Sequence, residues 1–420
     1  MRSRTISLCS IATLIMSAAG AAHAQARDTL SALLIDESLS PRKVQIVAFE
    51  GNQLVFLDSL GAERRITIDR LAAVVAVDPR ADVRDGIGAN AAPALGQQEE
   101  TMIVADADET GVLQLTDGQH FPGTLVPAVS EEEVITWQHG RFGDMRVSLD
   151  IVSGFFRSDI RTTRAVRDSL PSEDELYLVN GDILRGFLAG LGDPVTFEAG
   201  NQVVELEPQR VAGARLANPR TNVSGLVVWL NDGTVAALDS IVSRRDRDLV
   251  VTLPEGQAGV YDITDLRGVA FDAARIRNLA DLQPTMQAPV GERLYVEPIR
   301  LLRHPDSGDE VVDPLNSRDV LLPGPMEVTW DLPDRTERFA GTASLVYGTA
   351  PWGDCEFVIR LDDVEHFRTR LNPDTPVMPF NIPVNSASRM SITIEPGAFG
   401  PIHDRVIIHR PTILLEAGGA

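Results

Sequence analysis

The chain reads as an all-β protein: tandem small β-meander or barrel repeats, followed by a second β-region of different character. Three observations predict this. Apolar residues alternate with polar ones and run into Asn-Gly or Asp-Gly turns, as from Leu176 through Asn180 and Gly181. Sustained apolar periodicity of the helical kind is nearly absent. The same strand order also recurs four times before the pattern changes.

Taken in order, residues 1–24 carry Arg2 and Arg4, a short apolar stretch at 6–16 and a small-residue end, Ala22-His23-Ala24. That is the layout of a cleavable export signal cut after Ala24, which predicts a secreted or periplasmic protein. Residues 25–77 form the first β-repeat, with apolar runs at 44–47 and 53–57 split by Glu50-Gly51-Asn52. Residues 78–100 are rich in Ala, Gly, Asp and Pro, lack aromatics and read as a flexible linker. The second repeat spans 101–165 and turns at Asp117-Gly118. The third spans 170–222, and the fourth, 223–280, turns at Asp232-Gly233. Helical patterning is expected only at 273–282 and at 27–34. A shorter linker, 281–290, precedes a region of longer strands and more proline at 291–416.

Charge and composition narrow the function. Acidic residues outnumber basic ones 60 to 38, a formal net charge of -22. Such a field repels nucleic acid and anionic membrane surfaces, so neither is an expected partner. Lys43 is the sole lysine, and no Gly-rich loop ends in Gly-Lys-Ser/Thr, which excludes a P-loop nucleotidase. With Cys9 removed in the signal, Cys355 remains as the single cysteine. No internal disulfide or cysteine-rich metal site is then expected. Cys355 lies in an alternating run with acidic neighbours and reads as a buried, unreactive thiol. No later segment reaches the roughly 18 consecutive apolar residues of a membrane span, so no transmembrane segment is expected after cleavage.

In the second and third repeats a glycine in the second strand, Gly123 or Gly186, lets a strongly bent strand curve. That strand order resembles the small five-stranded barrels of the Sm-like and SH3-like kind over roughly residues 30–272. Sm-like proteins bind RNA, but the acidic charge and the lack of basic, aromatic patches argue against RNA here. The C-terminal region has Val328-Thr329-Trp330-Asp331-Leu332, then Phe339-Ala340-Gly341-Thr342-Ala343 and Phe357-Val358-Ile359-Arg360-Leu361. Met378-Pro379-Phe380-Asn381, Ser391-Ile392-Thr393-Ile394, Asp404 and Pro411-Thr412-Ile413 follow. This order resembles the NPCBM family of carbohydrate-binding modules, with a departure at Val320-Leu321-Leu322-Pro323-Gly324-Pro325. The resemblance implies a jelly-roll β-sandwich and a sugar-binding role.

Saccharide faces are held by exposed Trp or Tyr rings, with carboxylates and Arg bonding the hydroxyls. Trp330 alternates inside a strand and reads as core. Trp352, in Pro351-Trp352-Gly353-Asp354, occupies a turn-rich loop and reads as a ring in solvent, with Tyr347 bordering it. Asp354, His403, Asp404 and Arg405 are the polar candidates near strand ends. Asp354, Asp362, Asp363 and Asp404 offer oxygens to a structural Ca2+, yet no spacing approaches an Asp-x-Asp-x-Asp-Gly loop. No metal site or cofactor is expected. The scattered histidines give no zinc spacing, and no Gly-x-Ser-x-Gly elbow appears, so no catalytic residue and no enzyme is expected. Two readings follow. The first is an exported, non-catalytic envelope protein that binds carbohydrate or a cell-envelope glycan. The second is a structural scaffold whose β-repeats contact envelope proteins.

Overall fold

The structure, a computed structural model, describes residues 29–77, 111–127, 133–157, 171–244, 247–291, 294–303, 314–316, 318–346, 352–398, 400 and 403–418. The expected signal, the 78–100 linker and Tyr347 lie outside the described residues.

The protein is all-β, and its first part repeats one unit four times. The first unit comprises β1 (Leu30–Asp36), β2 (Pro41–Glu50), β3 (Gln53–Leu57), β4 (Glu63–Thr67), a 3-10 turn (Ile68–Arg70) and β5 (Leu71–Ala76). The second has β6 (Gly111–Leu115), β7 (His120–Leu125), β8 (Val134–His139), β9 (Gly143–Ser148), the turn Leu149–Ile151 and β10 (Val152–Phe156). The third has β11 (Asp174–Leu178), β12 (Ile183–Gly190), β13 (Val195–Ala199), β14 (Gln202–Leu206), the turn Pro208–Arg210 and β15 (Val211–Arg215). The fourth splits its second strand into β17 (Val235–Leu238) and β18 (Ser240–Ser243). Its other members are β16 (Leu226–Leu230), β19 (Asp248–Thr252), β20 (Ala258–Asp262), the turn Ile263–Asp265 and β21 (Leu266–Ala270).

In every unit the first strand pairs with both the second and the fifth. Sharp bending of the second strand is what lets so short a meander curl over its own core. At Gly186 a Cβ would collide with the Glu198 carbonyl, and at Gly123 it would lie 2.5 Å from Trp137 Nε1. Only glycine fits such close approaches. The first unit bends instead at an irregularity between Ile46 and Ala48.

The units are joined edge to edge. β5 pairs with β21 (Val74↔Val269), and β10 pairs with β15 (Phe155↔Ala214). A single pairing of Val235 with His120 links the second and fourth units. The closing strands are therefore paired along both edges and are buried along nearly their whole length. A Cβ at Gly213 would lie 2.6 Å from Phe155 O, and one at Gly154 would lie 2.8 Å from Ala214 O.

The remaining strands form two facing sheets. These are β22 (Ile276–Asn278), β23 (Met286–Pro289), β24 (Arg300–Arg303), β25 (Arg318–Pro323), β26 (Met326–Asp331) and β27 (Thr336–Leu345). The others are β28 (Cys355–Leu361), β29 (Val364–Leu371), β30 (Val377–Pro383), β31 (Arg389–Pro396) and β32 (Arg405–Leu415). One sheet runs β24-β25-β32-β27-β30, with β22 on β32, and the other runs β23-β26-β31-β28-β29. Trp330, Phe339, Phe357, Ile392, Ile394 and Ile408 fill the space between them.

Three sequence expectations change. Residues 273–282 do not form an α-helix. Two 3-10 turns flank β22, and Asn278 caps the start of the second by accepting a hydrogen bond from Ala280 N. The 27–34 stretch is strand from Leu30 onward, because Leu30, Ala32 and Leu34 alternate into the core. The 281–290 stretch contains β23, which pairs with β26.

The sandwich rests on the repeats. Leu39 and Ala72 of the first unit pack against Ala340 and Leu414. Arg275 donates to the Leu415 carbonyl at 3.0 Å and pairs with Glu37 at 3.1 Å. Among the described residues no helix is long and apolar enough to cross a membrane.

Candidate functional site

At one end of the sandwich, the β27–β28 loop meets the segment between β31 and β32. Trp352 stands there with 68% of its surface exposed, whereas Trp137, Trp229 and Trp330 are buried. Its neighbour Gly353 is tightly enclosed: a Cβ there would sit 3.0 Å from the Leu345 side chain and 3.2 Å from His403 O. The next residue, Asp354, is 1% exposed.

Asp354 fastens this loop. Arg370 Nε donates to Oδ1 at 2.6 Å and Nη2 donates to Oδ2 at 2.7 Å. Ala398 N donates to Oδ2 at 2.7 Å, and Gly397 N donates to the Asp354 carbonyl at 2.8 Å. A side chain at Gly397 would press on the Asp354 carboxyl, so glycine is required there. Above all the Arg370 hydrogen bond, and then the Ala398 N–H, hold the Asp354 carboxyl below its ordinary range. Both oxygens thus serve the fold, and Asp354 is a loop clamp.

The other polar candidates separate. His403 is exposed in a left-handed conformation (φ 67), and its carbonyl accepts from Arg405 N at 2.8 Å. Asp404 is buried beside Cys355. Burial, then Asp404, Asp354 and Glu356, push the Cys355 thiol up to about 12, which agrees with an inert core cysteine. Arg405 is half-buried and pairs with Glu297 at 3.2 Å. Glu297 also meets Arg300, and two residues before it Tyr295 is exposed. Of the residues predicted for the site, Trp352 and His403 are exposed and Arg405 is half-buried, whereas Asp354 and Asp404 are buried. Tyr295 is one of the aromatic residues of this region but was not selected from the sequence, nor was Glu297, whose pairing with Arg405 spans 108 residues.

Trp352 offers one flat apolar surface at this end of the sandwich, an arrangement for stacking. Among the described residues no three His, Cys, Asp or Glu side chains converge as a metal cage. Asp363 pairs with Arg389, and Asp362 accepts from Ser388 N and Arg389 N.

No family model and no curated protein matches the chain. The similarity to the NPCBM family therefore stays an order of elements, as does that of the repeats to Sm-like barrels. Solved structures do show a likeness. One is the CBM51 module from the Clostridium perfringens GH95 protein in complex with methyl-galactose, at 14% identity and TM-score 0.27, covering 33% of this chain and 99% of that one. Another holds CBM51-2 with GlcNAc and the INT domains of Clostridium perfringens ZmpB, at 11% identity and TM-score 0.27, covering 44% of this chain and 42% of that one. A third is the tandem CBM51 modules of a family 98 glycoside hydrolase from Streptococcus pneumoniae, at 9% identity and TM-score 0.27, covering 74% and 89%.

Proposed function

We propose that the chain is an exported binding protein of the cell envelope that recognises carbohydrate through its C-terminal sandwich, with Trp352 as the stacking platform and no chemistry at that rim. The carrying observation is the exposure of this one indole at the end of a loop whose next two residues are buried and clamped. An apolar ring in water is unfavourable, and covering it with a sugar face gains about 25 cal/mol per Å² of apolar area. Gly353 and Asp354, buried next to the ring, also lower the ordering cost of binding. A glycan array probed with the mature chain tests this: one or more glycans captured, and the signal lost in Trp352→Ala, is the expected result. An array with no captured glycan overturns it.

One observation favours the scaffold reading. On the third unit, Phe187, Glu198 and Val203 stand in one cross-strand row that ends at the edge strand β14, with Phe187 and Val203 exposed. Under that reading Phe187→Asp abolishes association with an envelope protein and leaves glycan capture unchanged.

A further inference from the structure

The geometry points to a second site, apart from the Trp352 rim: Ser344, His409 and Asp319 form a nucleophile–base–acid relay that hydrolyses small acyl esters. The three residues come from adjacent strands of one sheet, β27, β32 and β25. Val320 and Ala343 both pair with Ile408, and all three face the core. Their neighbours Asp319, Ser344 and His409 therefore project from the outer face. No local motif announces the group, because the partners are 65 and 90 residues apart.

His409 Nε2 lies 2.7 Å from Ser344 Oγ, and Nδ1 lies 2.7 Å from Asp319 Oδ2. Arg410 N donates to Asp319 Oδ1 at 3.0 Å, which fixes the carboxylate. An ionised carboxylate only accepts, so Nδ1 carries the ring proton and Nε2 is left to accept from the serine hydroxyl. That is the working tautomer of a serine nucleophile with its general base and orienting acid. Burial grades in the matching order: Asp319 is buried, Ser344 is 7% exposed, and the His409 side chain is 39% exposed.

In the first step Ser344 Oγ attacks the ester carbonyl carbon while its proton passes to Nε2. Collapse of the adduct breaks the bond to the alcohol oxygen, which leaves with the proton from Nε2. Water, deprotonated by the same nitrogen, then releases the carboxylic acid and restores the serine. Ser344 is flanked by paired strands on both sides, Val377 and Ile407, so its own backbone is committed to the ladder. A missing oxyanion donor costs about 10² to 10³ in rate. Turnover is therefore slow, and the slight exposure of Ser344 favours small acyl groups such as acetyl.

The test uses the mature chain with p-nitrophenyl acetate and a fluorophosphonate probe, followed by peptide mapping. The expected result is a phosphonyl adduct on Ser344, with ester hydrolysis about 100-fold lower in Ser344→Ala and His409→Gln. Ser391→Ala, at a buried strand serine of the other sheet, should leave both signals intact. Melting curves show that each variant is folded. Wild-type protein that takes no label, or a label and hydrolysis that persist in folded Ser344→Ala, overturns the proposal and leaves the three residues a structural network. Glycan capture does not depend on this outcome, so the two readings fail separately.

Discussion

Asp354 and Arg370 meet through two parallel hydrogen bonds, of 2.6 and 2.7 Å, although the aspartate is buried and the arginine lies at the surface. The pair ties the Trp352 loop to β29, and the Ala398 N–H adds the loop before β32. A paired guanidinium makes a buried carboxylate tolerable; removing it leaves the anion uncompensated.

Arg370→Ala should therefore lower the melting temperature more than Asp354→Asn, which keeps an acceptor for Ala398 N and removes the charge. The double variant should melt near Asp354→Asn. Equal losses in the two single variants would contradict the clamp.

The same pair predicts an acid dependence. Because the folded carboxyl titrates below its ordinary 3.8, its contribution is complete above that value and disappears as the pH falls beneath it. Acid titration of stability should show a shallower loss below pH 4 in Asp354→Asn than in wild type. Superimposable profiles would refute the linkage.

A second pH effect lies at the junction of the second and fourth units. His139 Nδ1 accepts from Arg141 N at 3.0 Å and Phe142 N at 3.2 Å, and Nε2 meets Thr234 Oγ1 at 3.0 Å. Both nitrogens are engaged in the neutral ring. Burial lowers its pKa from the ordinary 6.5, against the opposing pull of Asp232 and with Arg141 adding to the decrease. The unfolded chain thus takes up the proton first, so stability is full above 6.5 and falls as the pH drops through that value. Melting between pH 7.5 and 5 should fall more steeply in wild type than in His139→Gln; parallel slopes would exclude His139 as the cause.

Glycines divide into two classes. Gly186→Ala forces a Cβ onto the Glu198 carbonyl and should cost at least about 1 to 3 kcal/mol. Gly181→Ala meets only the strain of its positive φ of 90° in open space, about 1 kcal/mol. Chemical denaturation of the two variants gives the order directly, and a reversed order would remove the bent strand from the account of the unit.

How much of this was legible in the sequence depends on range. The Asp-Gly and Asn-Gly turns of the last three units and the second-strand glycines of the second and third are local signals, and they marked those units. The pairing of β5 with β21 was hidden, because an Ala-rich closing strand reads the same whether it faces solvent or another unit. Asp354 read as a polar sugar-binding candidate near a strand end, since its arginine lies 16 residues on, across a hairpin. The 281–290 break was misleading for a similar reason: Gln and Pro mark an edge strand as readily as a linker. Limited proteolysis should accordingly spare 281–290, where Leu279 is buried and β23 is paired. A stable fragment starting near Gly291 would show that this stretch opens freely.

The central claim is that Trp352 is a binding surface and Trp330 a core residue. Calorimetry on an array-identified glycan and thermal melting, applied to Trp352→Ala and Trp330→Ala, test it together. The predicted result is an affinity loss of about 1 to 3 kcal/mol with unchanged melting for Trp352→Ala. For Trp330→Ala a destabilisation of about 3 to 5 kcal/mol is expected. Glycan affinity unchanged in Trp352→Ala, or a melting temperature lowered as far as in Trp330→Ala, would contradict it.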